Sequence, residues 1–488
     1  MRLLLIKIDL TGGDHKNLSL NYKQDNPMNQ ATSLTPDQFE KERIQPYPAN
    51  PSYWQYRGKP VLLLGGSVED NLYQIPNLKE HLDLLHSVGG NYIRCTMSAR
   101  DPGDVWPFGR AAEGQPYDLN RWNDEYWLRF ENCLLWCYER EIILQIELWD
   151  RFDFTRAPWQ ANPFNPKNNI NYTASESGLK EEILTHAGQR ESAFFRSIPA
   201  SENNALVLKY QQAFVDKMLS YSLGYPNVLY CMDNETNEPP EWGAYWAGYI
   251  KRSAAERGVK VETTEMWDAH SVLDPMHEAT WKHPELYTFC DISQNNHRPP
   301  DQHWNNAQEF RKRILESGTP RPINSVKVYG ANTYQYGTTR DAIERFWRNI
   351  FGGLAAVRFH RPPTGLGLGE KAQRCVQSAR MLTDAMQTLF TCEPRIDLLS
   401  NRSYNEAYSL AGPRGHTPVR EYAVFFTDGG DVRLAVEAER PYQVRWLEIL
   451  SSEWRSEETL DAQAGQIRLE TPVDSGYWAA LIRPARGG

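Results

Sequence analysis

Glu235 closes the apolar run "NVLYCMDNE" and is preceded by Asn234. A carboxyl group so placed can carry a proton to or from a reacting oxygen, and a neighbouring amide can orient the group it acts on. Two further acids have similar settings: Glu147 in "QIELWD" and Glu265 in "TTEMWD", each followed by Trp and Asp. Two such carboxyls across one hollow could divide acid and base work. Lys327, in "RPINSVKVYG", ends a comparable run as a cation. It could neutralise Glu147, Glu235 or Glu265 in a salt bridge. With Arg94, Arg358 and His360 it could instead line a pocket for an anionic ligand. Imine chemistry with a carbonyl is a third use, which no other residue supports.

These residues need elements that bring them together. From residue 60 the chain alternates short apolar runs with amphipathic ones, the pattern of strands covered by crossover helices. Eight strands are expected, at residues 60–67, 91–98, 141–150, 227–235, 259–268, 287–294, 322–330 and 355–362. Eight is the number that closes a (β/α)8 barrel, in which chemistry gathers at the carboxyl ends of strands. Leucines at spacings of three and four in "NLKEHLDLLHSVGG" exemplify the intervening helices, and "AHSVLDPMHEATWKHPEL" between strands five and six is the weakest of them. The expected organisation is an α/β chain: an irregular extension over residues 1–50, a TIM barrel over 51–394 and a small antiparallel β-sandwich over 395–488. In that last part "DGGD" reads as a hairpin turn.

Composition narrows the function. Of 488 residues, 40% are hydrophobic, enough for one large core and a second smaller one. A formal net charge of -9, with no concentration of Lys and Arg, excludes a nucleic-acid-binding surface. No apolar run approaches the roughly 18 residues that span a bilayer, and the opening "MRLLLIKIDL" lacks a cleavage site, so a cytoplasmic protein without a membrane partner is expected. The seven cysteines read as reduced, buried thiols. Cys133 and Cys137 have no second pair at metal-ligand spacing, so neither metal nor cofactor is expected.

The Asn234-Glu235 pair at the end of the fourth of eight strands resembles the acid/base signature of clan A (β/α)8-barrel glycoside hydrolases of the cellulase-like kind. The sandwich resembles the collagen-binding-like domain appended to some of them. The resemblance implies hydrolysis of a glycosidic bond, with Glu235 protonating the leaving oxygen and Asn234 binding the sugar's 2-hydroxyl. It places Arg94 where the clan has an arginine steadying the nucleophile. Lys327 falls where relatives carry the nucleophilic glutamate, and His360 where many carry a stacking tryptophan. A lysine cannot form the usual glycosyl ester, and its charge favours an ionised Glu235, the wrong form for a proton donor. The second carboxyl would then be Glu265 or Glu147, with Glu265 preferred because the fifth strand adjoins the fourth, and the sugar could be anionic. The alternative is a barrel that binds carbohydrate without cleaving it. Trp149 and Trp267, beside candidate acids, could stack sugar rings, and Gln294, Asn295 and His297 in "DISQNNH" could meet hydroxyls. The aromatic, proline-punctuated stretch after strand three is a candidate lid or subsite wall. Trp446 and Trp478 would serve a carbohydrate-binding sandwich or its core.

Overall fold

A computed structural model describes residues 34–413 and 421–485. Eight parallel strands form the barrel: β1 (Leu63–Gly66), β2 (Tyr92–Thr96), β3 (Ile143–Asp150), β4 (Val228–Asn234), β5 (Glu262–Thr264), β6 (Cys290–Asp291), β7 (Ile323–Val328) and β8 (Ala356–Phe359). The ladder runs β5-β4-β3-β2-β1-β8-β7-β6. Threonines complete the ring between β5 and β6. The Thr288 N–H donates to the Thr263 carbonyl at 2.9 Å, the Thr263 N–H to Thr288 Oγ1 at 3.0 Å and Thr264 Oγ1 to the Phe289 carbonyl at 2.8 Å. Side chains thus replace ladder bonds at this seam, which is why β5 and β6 are much shorter than their apolar runs.

The crossover helices are α1 (Leu78–Ser87), α2 (Asp124–Glu139), α3 (Ala205–Ser222), α4 (Pro240–Glu256), α5 (Glu278–Trp281), α6 (Pro300–Glu316), α7 (Thr339–Phe351) and α8 (Glu370–Ala385). The longer ones bury an apolar face against the strands: Leu78, Leu82 and Leu85 in α1, for example. Pro240 opens α4, where a missing N–H costs nothing. Thr338 and Asp341 cap α7 reciprocally. The weakest helical pattern gives only the single turn of α5.

The chain before the barrel departs from the expected irregular extension. Residues 1–33 lie outside the described residues, but Pro36–Glu42 is a helix held by a Thr35-Gln38 capping box. Gln45–Pro46, Trp54–Tyr56 and Lys59–Val61 then form a small antiparallel sheet. Trp54 from this sheet is fully buried, meets Phe289 edge-on at 5.2 Å and donates Nε1–H to Asn324 Oδ1 on β7 at 3.0 Å. Asn324 donates in turn to the Tyr92 hydroxyl at 3.3 Å, which donates to Gln145 at 2.6 Å. The barrel interior is therefore already polar at this level, and one hydrogen-bonded chain links Trp54, Asn324, Tyr92 and Gln145 across it.

The C-terminal strands form two sheets, one of six strands and one of three. Val432, Leu434, Ile467 and Leu469 face Val424, Phe426 and Trp446 in a separate core. Period-2 alternation sends Phe425 the other way, to stack on Trp347 of α7 at 5.5 Å, and Tyr408 meets Trp304 of α6 at 4.8 Å. Trp446 and Trp478 are both buried, so they build the domain and are not a sugar platform. "DGGD" does not make a hairpin. It carries the chain from Tyr422–Phe426 in the large sheet to Asp431–Ala435 in the small one, and an added Cβ at Gly429 would come 2.1 Å from the Asp474 backbone.

Trp54→Phe keeps the ring but leaves Asn324 Oδ1 without its donor. Urea denaturation is expected to show a loss of about 1–3 kcal/mol.

Candidate active site

At the carboxyl ends of the strands the polar interior becomes an ionic network. Arg94 on β2 is fully buried and grips Glu147 on β3 with two bonds, Nε to Oε1 at 2.7 Å and Nη2 to Oε2 at 2.6 Å. The same guanidinium reaches Asp70 in the loop after β1, and Asn234 Oδ1 at 3.1 Å. Asn234 Oδ1 also accepts from Lys327, while its Nδ2 donates to Asp150 at 2.9 Å. Arg100 then holds Asp150 at 2.6 Å and Asp153 at 2.9 Å, and Arg361 holds Asp70 at 2.8 Å.

Glu235 is the carboxylate through which this network reaches solvent. Its side chain is 16% exposed, against 0% for Glu147 and Asp150. The backbone there turns into the left-handed region (φ 53°), unusual for a residue with a Cβ and common where a strand end aims a functional side chain. Oε1 accepts three hydrogen bonds: from Lys327 Nζ at 2.6 Å, Gln294 Nε2 at 2.8 Å and the Tyr329 hydroxyl at 2.9 Å. Burial by itself would raise this carboxyl. The charge and hydrogen bond of Lys327, with Arg151 and the Tyr329 hydroxyl, outweigh it and hold Glu235 well below the usual carboxylate range.

The rim beside Glu235 is aromatic. His270 and His297 stack at 4.0 Å with an 11° tilt. Tyr329 lies 4.5 Å from His297, and Tyr336 5.2 Å from Tyr329. Burial and the neighbouring His270 push His297 down to about 3, so it is neutral near pH 7. His360 meets Tyr329 edge-on at 4.9 Å and is likewise neutral, chiefly through burial.

Several sequence-based expectations need correction. Glu265 does not face the mouth: its Oε1 accepts the Asp233 N–H at 2.9 Å and the Met266 N–H at 3.0 Å, and its Oε2 lies against α4 at Gly243. Glu147 is on the interior side but is wholly engaged by Arg94. Asn234 is a junction of charged groups, 2% exposed, and not an amide presented to a sugar. Trp149 packs among Phe194, Phe214 and Trp246, and Trp267 is buried with Nε1 donating to Thr280. Neither offers a face to solvent. Arg94 and Arg358 are fully buried, with Arg358 bound to the Val326 carbonyl at 2.7 Å and to Ser67, so they make no pocket for an anion. The stretch after β3 packs inward, with Phe154 stacked on Phe194 at 3.9 Å.

Lys327, Glu235 and His297 do meet at the mouth, joined by Tyr329 and Gln294. Tyr329 could have been found by counting two residues on from Lys327, since alternate residues of a strand share a face. Gln294 was legible as a polar residue after strand six, though as a partner for sugar hydroxyls and not for Glu235, and Arg151 carried no comparable signal. Among the described residues no cluster of three His, Cys, Asp or Glu side chains is placed to hold a metal ion, and no helix is long and apolar enough to cross a membrane.

Lys327→Met would leave the largely buried Glu235 without the cation it touches. The expected cost near pH 7 is about 3–5 kcal/mol. A carboxyl depressed in the folded state adds stability above its unfolded value, near 4.3, and loses it as pH falls toward the folded value. Urea midpoints measured from pH 7 to pH 2.5 should therefore converge for the two proteins on the acid side.

No family model matches the sequence, and no curated protein matches it. Solved structures do. A protein described as a glycoside hydrolase superposes with a TM-score of 0.61 at 10% identity, covering 92% of this chain and 98% of its own. A family 5 glycoside hydrolase from Bacteroides vulgatus gives 0.58 at 10% identity, covering 92% and 94%. A putative glycoside hydrolase from the same organism gives 0.58 at 11% identity, covering 92% and 83%. The likeness spans barrel and sandwich together, so the two-domain fold is shared.

Proposed function

We propose that the protein is a glycoside hydrolase that works at the carboxyl end of its barrel on a neutral sugar, with Glu235 entering the reaction as a carboxylate. The carrying observation is the cradle around Glu235: a solvent-reaching acid at the end of β4, directly after Asn234, with one oxygen held by Lys327, Gln294 and Tyr329. The shared two-domain fold with glycoside hydrolases supports the reaction class.

An ionised carboxylate at this place is suited to take a proton from water or to stabilise positive charge developing at an anomeric carbon. It is not suited to give a proton, so the sequence-based role of proton donor is replaced. The ring pile of His270, His297, Tyr329 and Tyr336 suits stacking on a pyranose face. A neutral sugar follows from charge: the buried cations Arg94 and Arg358 are screened from solvent, and Asp70, Asp150 and Glu235 already balance those nearer the mouth.

The second reading is a barrel that binds sugar without turning it over. The Lys327-Glu235 contact favours it, because a 2.6 Å ion pair occupies the place of a second carboxyl, normally about 5–9.5 Å from the first.

A panel of neutral and acidic aryl glycosides and oligosaccharides decides between them. The hydrolase reading expects turnover of a neutral member, and Glu235→Gln should lower kcat about a hundredfold or more while calorimetric sugar affinity changes less than about threefold. Sugar binding with no turnover of any member would leave the binding protein.

A further inference from the structure

Glu265 is fully buried, carries no ion pair to Lys or Arg among the described contacts, and stands behind the strand end that presents Glu235. The β4-β5 ladder shows what it does there. Pairing runs in register as far as Cys231 opposite Thr264, and resumes with Thr236 opposite Trp267. Between those points β4 spends four residues, Met232 to Glu235, against two on β5, Glu265 and Met266, and the longer segment holds Asp233, Asn234 and Glu235. In such a bulge a backbone N–H loses its partner on the neighbouring strand. Here the Asp233 N–H donates to Glu265 Oε1 at 2.9 Å, and the same oxygen accepts the Met266 N–H at 3.0 Å. One side-chain oxygen thus spans the gap that the two backbones leave. Immediately beyond it the Thr236 N–H donates to the Met266 carbonyl and the Asp268 N–H to the Thr236 carbonyl, each at 2.8 Å, so the strands rejoin. Glu235 lies inside the clamped segment with its φ of 53°.

We infer that Glu265 is a positioning residue: its carboxyl substitutes for a missing ladder acceptor, clamps the bulge in β4, and so sets where Asn234 and Glu235 point. This rests on the reading of Glu235 as the reacting carboxylate, although the clamp can be observed without any reaction. Gly243 of α4 gives independent support. A Cβ built there would lie 2.2 Å from Glu265 Oε2 and 2.9 Å from the Tyr287 hydroxyl, so the helix has no side chain where the carboxyl must fit. The acids facing Glu265 include Asp233, and Glu238 and Asp150 face Asp233 in turn; burial first, then Asp233, holds Glu265 well above the ordinary range. A neutral carboxyl still accepts through its carbonyl oxygen, and an amide would do the same.

Glu265→Gln keeps the acceptor, Glu265→Met removes it at similar volume, and Gly243→Ala crowds it. In the full chain, amide exchange by NMR at Asp233 is expected to stay within about threefold of wild type in the Gln variant and to accelerate about a hundredfold in the Met variant, with Leu229 on the same strand unchanged. The ammonium NMR signal of Lys327, which reports its ion pair with Glu235, should persist in Glu265→Gln and be lost in Glu265→Met and Gly243→Ala. With a turned-over glycoside, kcat should follow that signal while KM moves less than about threefold. Protected Asp233 and an intact Lys327 signal in Glu265→Met would overturn the clamp. If no glycoside is turned over by wild type, the hydrolase reading fails alone, because the two NMR observables judge the clamp without it.

Discussion

The mouth of this barrel is organised by the need to pair buried charge. Lys327 and Glu235 are neutralised by each other at 2.6 Å, and neither could persist alone at that depth. Asn234 passes the constraint on: its Oδ1 accepts from Lys327 and Arg94 together, and its Nδ2 donates to Asp150. Arg94 then satisfies Glu147 and Asp70, and Arg100 satisfies Asp150 and Asp153. A change in any one group leaves another unpaired, so these residues act as a unit in the sense that makes single deletions non-additive.

Chemistry follows from which member of the unit water can reach. Glu147 and Glu265 are acids at strand ends, as Glu235 is, yet one is spent on an arginine and the other on backbone N–H groups. Glu235 alone of the three extends past the network to the aromatic rim. The cradle of three donors on Oε1 defines its protonation state as firmly as its position, and this distinguishes it from an acid kept protonated in an apolar pocket.

The sandwich belongs to the same economy of burial. Its large sheet turns one set of side chains to its own core and the alternate set to α6, α7 and α8, where Phe425 and Tyr408 cover Trp347 and Trp304. The barrel helices therefore carry apolar residues on two faces in that sector. At the opposite end of the strands, Trp54 closes the barrel floor, so the interior is sealed below and charged above.

The sequence by itself determined the eight strands, the helices between them, the change to antiparallel texture near residue 395 and the placing of Glu235 and Lys327 at the same end of the barrel, because periodicity and strand order are local and the barrel rule places strand ends together. Tertiary structure alone decided the direction of each strand-end side chain. Glu147, Glu235 and Glu265 have near-identical local settings, and only the β4-β5 bulge and the close approach of Gly243 turn Glu265 to the helix layer. Trp149 and Trp267 show the same limit: an aromatic after a strand packs inward or stacks outward according to which neighbours the fold supplies. Lys327 was legible as a cation in an unusual place, but whether it served an anionic ligand or an internal acid depended on distances between residues more than ninety positions apart in the chain. Pairing, burial and direction are properties of the packed whole, and they assigned each of these residues its part.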